Sequence, residues 1–106
     1  LSGDKIKSPI LNFINTIETE LNIIMTNSSL SKIFIHISCL IERILLKDFI
    51  LTSNEEISSY KKRNEKYISL IEKALTSIID TFNISIPENE LYFICEIVKE
   101  AEKQSK

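Results

Sequence analysis

Apolar residues recur along this chain at three- and four-residue steps, which is the period of an α-helix. Ile10, Ile14, Ile17, Leu21 and Ile24 form the first such face. Ser8-Pro9 ahead of it pairs a cap residue with proline at the first helical position, and Thr26-Asn27-Ser28 predicts its end. A second helix is predicted from about Ser29 to Lys47, with Leu30, Ile33, Phe34, Ile37, Leu40, Ile41, Ile44 and Leu45 on its core face. Ile35 and Leu46 form a smaller apolar set pointing almost the other way. A helix apolar on two sides lies between neighbours, so this one is expected to be central or partly at an oligomer interface.

Between Asp48 and Arg63 the pattern loosens. Thr52-Ser53-Asn54 followed by Glu55-Glu56 predicts a loop and then a helix start, with Ile57 and Tyr60 anchoring a short helix. The Lys61-Lys62-Arg63 run fits a solvated face. A long helix is predicted from Asn64 to Phe82, with Ile68, Ile71, Leu75, Ile78, Ile79 and Phe82 inward and Asn83 as its stop. The last helix opens with Ser85 and Glu88 spaced as a capping box around Pro87. Leu91, Ile94, Cys95 and Val98 face inward there, and Phe93, Ile97 and Ala101 widen the stripe. The expected fold is all-α: a five-helix bundle of two antiparallel helix pairs plus one short peripheral helix. The first two helices are expected to form a hairpin. Residues 8–103 make the single domain, residues 1–7 are expected to lie outside it or be disordered, and 104–106 to fray.

Composition narrows the picture. The chain has 106 residues, 43% hydrophobic, with one Gly and two Pro. So few turn formers leave little room for hairpins or a phosphate-cradling glycine loop. A net charge of −2 argues against direct nucleic-acid contact. No apolar run approaches the roughly 20 residues of a membrane helix, and no secretory signal is visible, so a cytoplasmic location is expected. The opening Leu1 reads as the start of a fragment. Cys39 and Cys95 lie in apolar helical segments, and both are expected to be buried thiols rather than a disulfide or metal ligands. No cofactor and no metal is expected.

Candidate chemistry concentrates on Ile35-His36-Ile37-Ser38-Cys39-Leu40-Ile41-Glu42-Arg43. At about 100° per residue, Lys32, His36, Cys39 and Arg43 fall on one stripe at the edge of the core face. His36 and Arg43 are two turns apart, roughly 10.5 Å along the axis, and Lys32 is one turn away on the other side. Two fixed cations favour a neutral imidazole, the nucleophilic form. The same cations suit an anion carried on the ring, because Arg pairs well with phosphate oxygens. The stripe therefore suits a histidine that accepts a phosphoryl group, although a lone His beside an apolar face is more often a structural residue. Other templates fail. One histidine cannot form a paired-His metal site. Cys39 lacks a base and an orienting group. Glu18, Glu20, Glu42, Glu72 and Glu96 scatter without acid–base spacing. The chain is expected not to be an enzyme.

The stretch His36-Ile37-Ser38-Cys39-Leu40-Ile41-Glu42-Arg43 resembles the first histidine motif, His-Ile-x-x-x-Ile-x-Arg, of the PTS regulation domain, or PRD. Ile84 to Ile94 resembles the acidic-led opening of that family's last helix. The resemblance spans about Ser8 to Ala101 and implies a five-helix bundle. It also implies phosphorylation on histidine by the phosphocarrier HPr or a sugar-specific enzyme II B component, with a shift in oligomeric state or effector activity. His36 matches the phosphoacceptor and Arg43 the motif arginine, with Lys32 as a further phosphate support. Many PRDs carry a second histidine near where Ile97 stands and an Asp where Ile35 stands. These departures resemble the PRDs of LevR-type, sigma-54-dependent activators of carbohydrate genes. The other parent class is an RNA-binding antiterminator. A homodimer is implied as well. The rival readings are a purely structural dimerisation bundle and a small helical enzyme or carrier. A reachable His36 beside a cation favours the regulatory module.

Overall fold

The computed structural model describes residues 3–46 and 55–106. Lys47 at the expected end of the second helix and the Thr52-Ser53-Asn54 loop lie outside the described residues. Among the described residues all regular structure is helical: α1 (Gly3–Leu21), α2 (Asn27–Leu45), α3 (Glu55–Arg63), α4 (Glu65–Ala74), α5 (Thr76–Phe82) and α6 (Glu88–Lys103).

The count is six rather than five because the expected helix from Asn64 to Phe82 is broken at Leu75. Leu75 keeps right-handed angles (φ −78°, ψ −10°), and its N–H still bonds the Ile71 carbonyl. Beside it the Thr76 hydroxyl donates to the Glu72 carbonyl at 3.4 Å. A hydroxyl competing for a helical carbonyl bends the helix. The bend lets both α4 and α5 pack against α1.

Pairing also departs from the expected hairpin of the first two helices. The principal partner of α1 is the α4–α5 arm, while α2 packs on α6 and on α1 to a similar extent. Contacts at both ends of the α1 pair, Lys5 over the Phe82 ring and Glu20 with Lys73, show that it runs antiparallel. The most deeply buried side chains come from every long helix: Phe13 and Ile17 of α1, Ile33 and Ile41 of α2, Ile71 and Ile78 of the bent arm, Cys95 and Val98 of α6. The short helix α3 docks through Ile57 and Tyr60, as its spacing predicts.

Several helix ends differ from their sequence signals. α1 begins before Ser8 and carries buried Pro9 in its interior. It stops at Asn22 rather than at Thr26-Asn27-Ser28. Asn22 is left-handed (φ 55°), its N–H bonds the Thr19 carbonyl, and the Ile23 N–H bonds the Glu18 carbonyl. Asn83 (φ 53°) closes α5 with the analogous bond from Ile84 to Ile79. Asn is the residue after Gly that tolerates this conformation best. The early stop leaves Ile24 outside the helix and 65% exposed, although it sits on the periodic face. Thr26 instead caps α2, accepting from the Ser29 N–H at 3.1 Å. The Ser85–Glu88 capping box does not form. Pro87 is the N-cap of α6, its carbonyl receives the Glu90 and Leu91 N–H groups, and Glu88 pairs with Lys61 at 3.1 Å. The backbone N–H of Lys106 reaches the Ile24 carbonyl at 3.1 Å.

Two substitutions test this core. Phe13→Ala removes a fully buried aromatic and should cost about 3–5 kcal/mol in urea unfolding. Ile24→Ala, at an exposed position, should change stability by no more than about 0.5 kcal/mol. A large loss at Ile24 would mean that the loop after α1 is packed differently.

Candidate functional site

The amphipathic period of α2 puts Ile33, Ile37, Leu40, Ile41 and Ile44 into the core and leaves the Lys32–His36–Cys39–Arg43 stripe at the boundary. α6 lies antiparallel to it. Arg43, near the end of α2, meets Glu90, in the first turn of α6; His36 shares its groove with Ile97, more than a turn further along α6. His36, Leu40 and Arg43 on one side and Glu90, Phe93 and Ile97 on the other wall a groove of about 270 Å³. A second, very small space beside His36 is closed by Phe13, Ile33 and Ile94. The imidazole therefore stands on the core with one side and opens to solvent with the other; the residue as a whole is exposed.

The sequence-predicted stripe is only partly assembled. Arg43 reaches the groove, but its Nη2 is taken by Glu90, 3.0 Å from both carboxylate oxygens. Arg43 is partly exposed, whereas the Glu90 side chain is only 12% exposed, so the pair sits at the groove wall rather than free in solvent. Lys32 is exposed and is not among the residues lining the groove. Cys39, expected to be buried, is exposed. The stripe that carries His36 out of the core carries Cys39 out with it. Cys95 is fully buried, and burial pushes its thiol up.

The sequence pattern gives Glu90 no role and has Phe93 widening the inward stripe of α6. Phe93 is in fact 57% exposed at the groove rim, and its ring meets Tyr92 edge-on at 5.4 Å. Tyr92 in turn packs on Tyr60 with ring centroids 4.3 Å apart. Glu90 could have been flagged only as an acidic residue in the first turn of a helix, since 47 residues separate it from Arg43.

The other groove carboxylate, Glu96, accepts a hydrogen bond from the Tyr60 hydroxyl and lies 3.7 Å from Lys99. Lys99 also donates to Asn64 Oδ1 at 2.9 Å and covers the rings of Tyr60 and Tyr67. Burial, reinforced by hydrogen bonds with Cys95 and Glu96, pushes the Tyr60 phenol far above its ordinary value. The bond to Glu102 does the same for Tyr67, with burial adding to it. These phenols are donors that hold carboxylates in place. Among the described residues no group of three or more His, Cys, Asp or Glu is placed to hold a metal ion. No described helix is long and apolar enough to cross a membrane.

Fold and site together define a helical-bundle module whose single histidine is exposed at an interhelical groove. A family model, the PRD domain, matches residues 11–101. The chain belongs to the PRD family, whose members are in general regulatory domains controlled through the sugar phosphotransferase system. No curated protein and no solved structure matches it.

The difference between the two cysteines is directly testable. A water-soluble thiol reagent should modify one thiol in the native chain, and Cys39→Ser should abolish that reaction. Cys95 should react only on unfolding, since a thiol must be reachable and ionised to attack. Two fast thiols in the native state would contradict the packing of α6.

Proposed function

We propose that this chain is a phosphorylation-controlled regulatory domain of a bacterial transcriptional regulator, with His36 as phosphoacceptor. The observation that carries the reading is the position of its only histidine: exposed, in a groove a partner can enter, with an arginine in the same groove wall. In the reaction, an imidazole nitrogen of His36 attacks phosphorus in line. The bond from phosphorus to the donor atom breaks, its electron pair stays on the donor, and a phosphorus–nitrogen bond forms on His36. Such a transfer requires the donor phosphorus to reach the nitrogen in line, and an exposed groove meets that requirement.

The donors proposed are HPr or a sugar-specific enzyme II B component, acting in the cytoplasm. The domain acts as a regulatory module, not an enzyme, and makes no nucleic-acid contact of its own. Arg43 is the proposed phosphate support. Lys32, outside the groove wall, contributes only its long-range charge. Ile35 in place of Asp and Ile97 in place of a second histidine favour a LevR-type, sigma-54-dependent activator as the parent. Ile35 and Leu46, 61% and 70% exposed on the outer side of α2, offer an apolar face for a homodimer.

Incubating the chain with phosphorylated HPr and with the phosphorylated B component should add one acid-labile phosphoryl group. His36→Ala should remove it. No label from either donor, or label that survives the substitution, would leave a structural bundle as the better account. Sedimentation at high micromolar concentration should show a dimer, and Ile35→Asp should convert it to a monomer. A monomeric native chain would refute that face as a contact.

A further inference from the structure

We propose that Glu90 holds Arg43 in the unmodified domain and loses it to the phosphoryl group on His36, so that modification breaks the α2–α6 ion pair and loosens the start of α6. The inference rests on the phosphoacceptor reading and assigns a role to a residue that reading does not use.

The contact geometry makes the two anions competitors. A guanidinium offers two double-hydrogen-bond edges to an oxyanion, one side-on through Nε and Nη2, the other end-on through Nη1 and Nη2. Both edges include Nη2. Glu90 places both its oxygens 3.0 Å from Nη2, an atom that belongs to both edges. Nη2 carries one hydrogen for each edge, so a phosphoryl group on His36 takes Arg43 from Glu90 only by outcompeting it for the guanidinium and drawing it across the groove. Arg43 need not leave the groove to make the exchange, because it and His36 wall the same space. Side chains on a helix lean toward its N-terminus, so Arg43 leans from its position toward His36.

Charge decides the direction. The phosphoryl group carries about −1.5 to −2 charges against −1 for a carboxylate, and presents three acceptor oxygens against two. Once it is present, Glu90 has lost its cation, faces a like charge across the groove and is only 12% exposed. Turning out to solvent relieves both the burial and the repulsion of that carboxylate. Glu90 belongs to the first turn of α6, where its N–H and that of Leu91 bond the Pro87 carbonyl at 3.0 and 3.2 Å. Its withdrawal pulls on that turn. The second groove carboxylate is not released in the same way, since Tyr60 and Lys99 hold Glu96 from the far side.

The experiment uses the whole chain phosphorylated with its protein donors and, separately, with potassium phosphoramidate, a small-molecule donor. Intact mass counts the phosphoryl groups and His36→Ala locates them. Amide hydrogen exchange then follows Glu90 and Leu91, with Ile68 and Ile71 of α4 as internal reference. Phosphorylation should speed exchange at Glu90 and Leu91 about ten-fold, the scale of losing one charge-assisted hydrogen bond, and leave α4 unchanged. Glu90→Gln should exchange fast before phosphorylation and gain nothing from it. Arg43→Lys keeps the charge but has no forked edge, so its exchange should respond by less than half as much. A chain phosphorylated on His36 with unchanged exchange at Glu90 and Leu91, or the same acceleration in Glu90→Gln, would overturn the exchange of partners and leave the phosphoacceptor reading standing. A chain that takes no phosphoryl group on His36 from any of these donors removes that reading, and this inference with it.

Discussion

The antiparallel seam between α2 and α6 is the contact on which the site depends. Ile33 and Ile37 of one helix and Ile94 and Val98 of the other close over Phe13, leaving only a very small space between them beside His36. Close packing of branched side chains admits few alternative registers. The register adopted brings Arg43 to Glu90 and His36 to Ile97 in one stroke. Sliding α6 by one turn would break the ion pair and change what His36 faces. The groove is the place where the two helix surfaces diverge above that packed line.

Electrostatics then sets the character of the groove. Two carboxylates wall it, and an unrestrained carboxylate there would repel any approaching anion. Each is held by a partner: Glu90 by Arg43, Glu96 by the Tyr60 hydroxyl and Lys99. The first restraint lies inside the groove and is open to competition. The second is anchored outside it, in the aromatic seam with α3 and α4. The two walls of the groove are therefore held in different ways, one by an ion pair within it and the other from outside.

The outer face of α2 is a separate feature. Ile35 and Leu46 contribute nothing to the core, yet they are large, apolar and well exposed. Ile35 shares α2 with His36 and Leu46 is its C-cap, so the apolar face and the groove flank one rod.

Helical class, the positions of most core residues and the candidate histidine were legible in the sequence because each depends on local periodicity. Ile33, Ile37, Ile41, Ile71, Ile78 and Val98 are buried as the 3.6-residue repeat requires. The same repeat placed His36 at the edge of that face, and the His-Ile-x-x-x-Ile-x-Arg pattern pointed to its family. Helix ends were less legible. Asn22 stops α1 because a left-handed residue and its backbone bonds end the helix there, whatever apolar residue follows. The break at Leu75 likewise depends on a hydroxyl competing for one carbonyl and on how both halves meet α1. The partner of Arg43 could not be read at all. Helical spacing says which residues share a stripe, but an ion pair across 47 residues exists only once two helices have chosen a register. That choice is made by the shapes of many core side chains together, so only the tertiary structure decided that the arginine of the motif rests on Glu90 and that His36 opens into a groove.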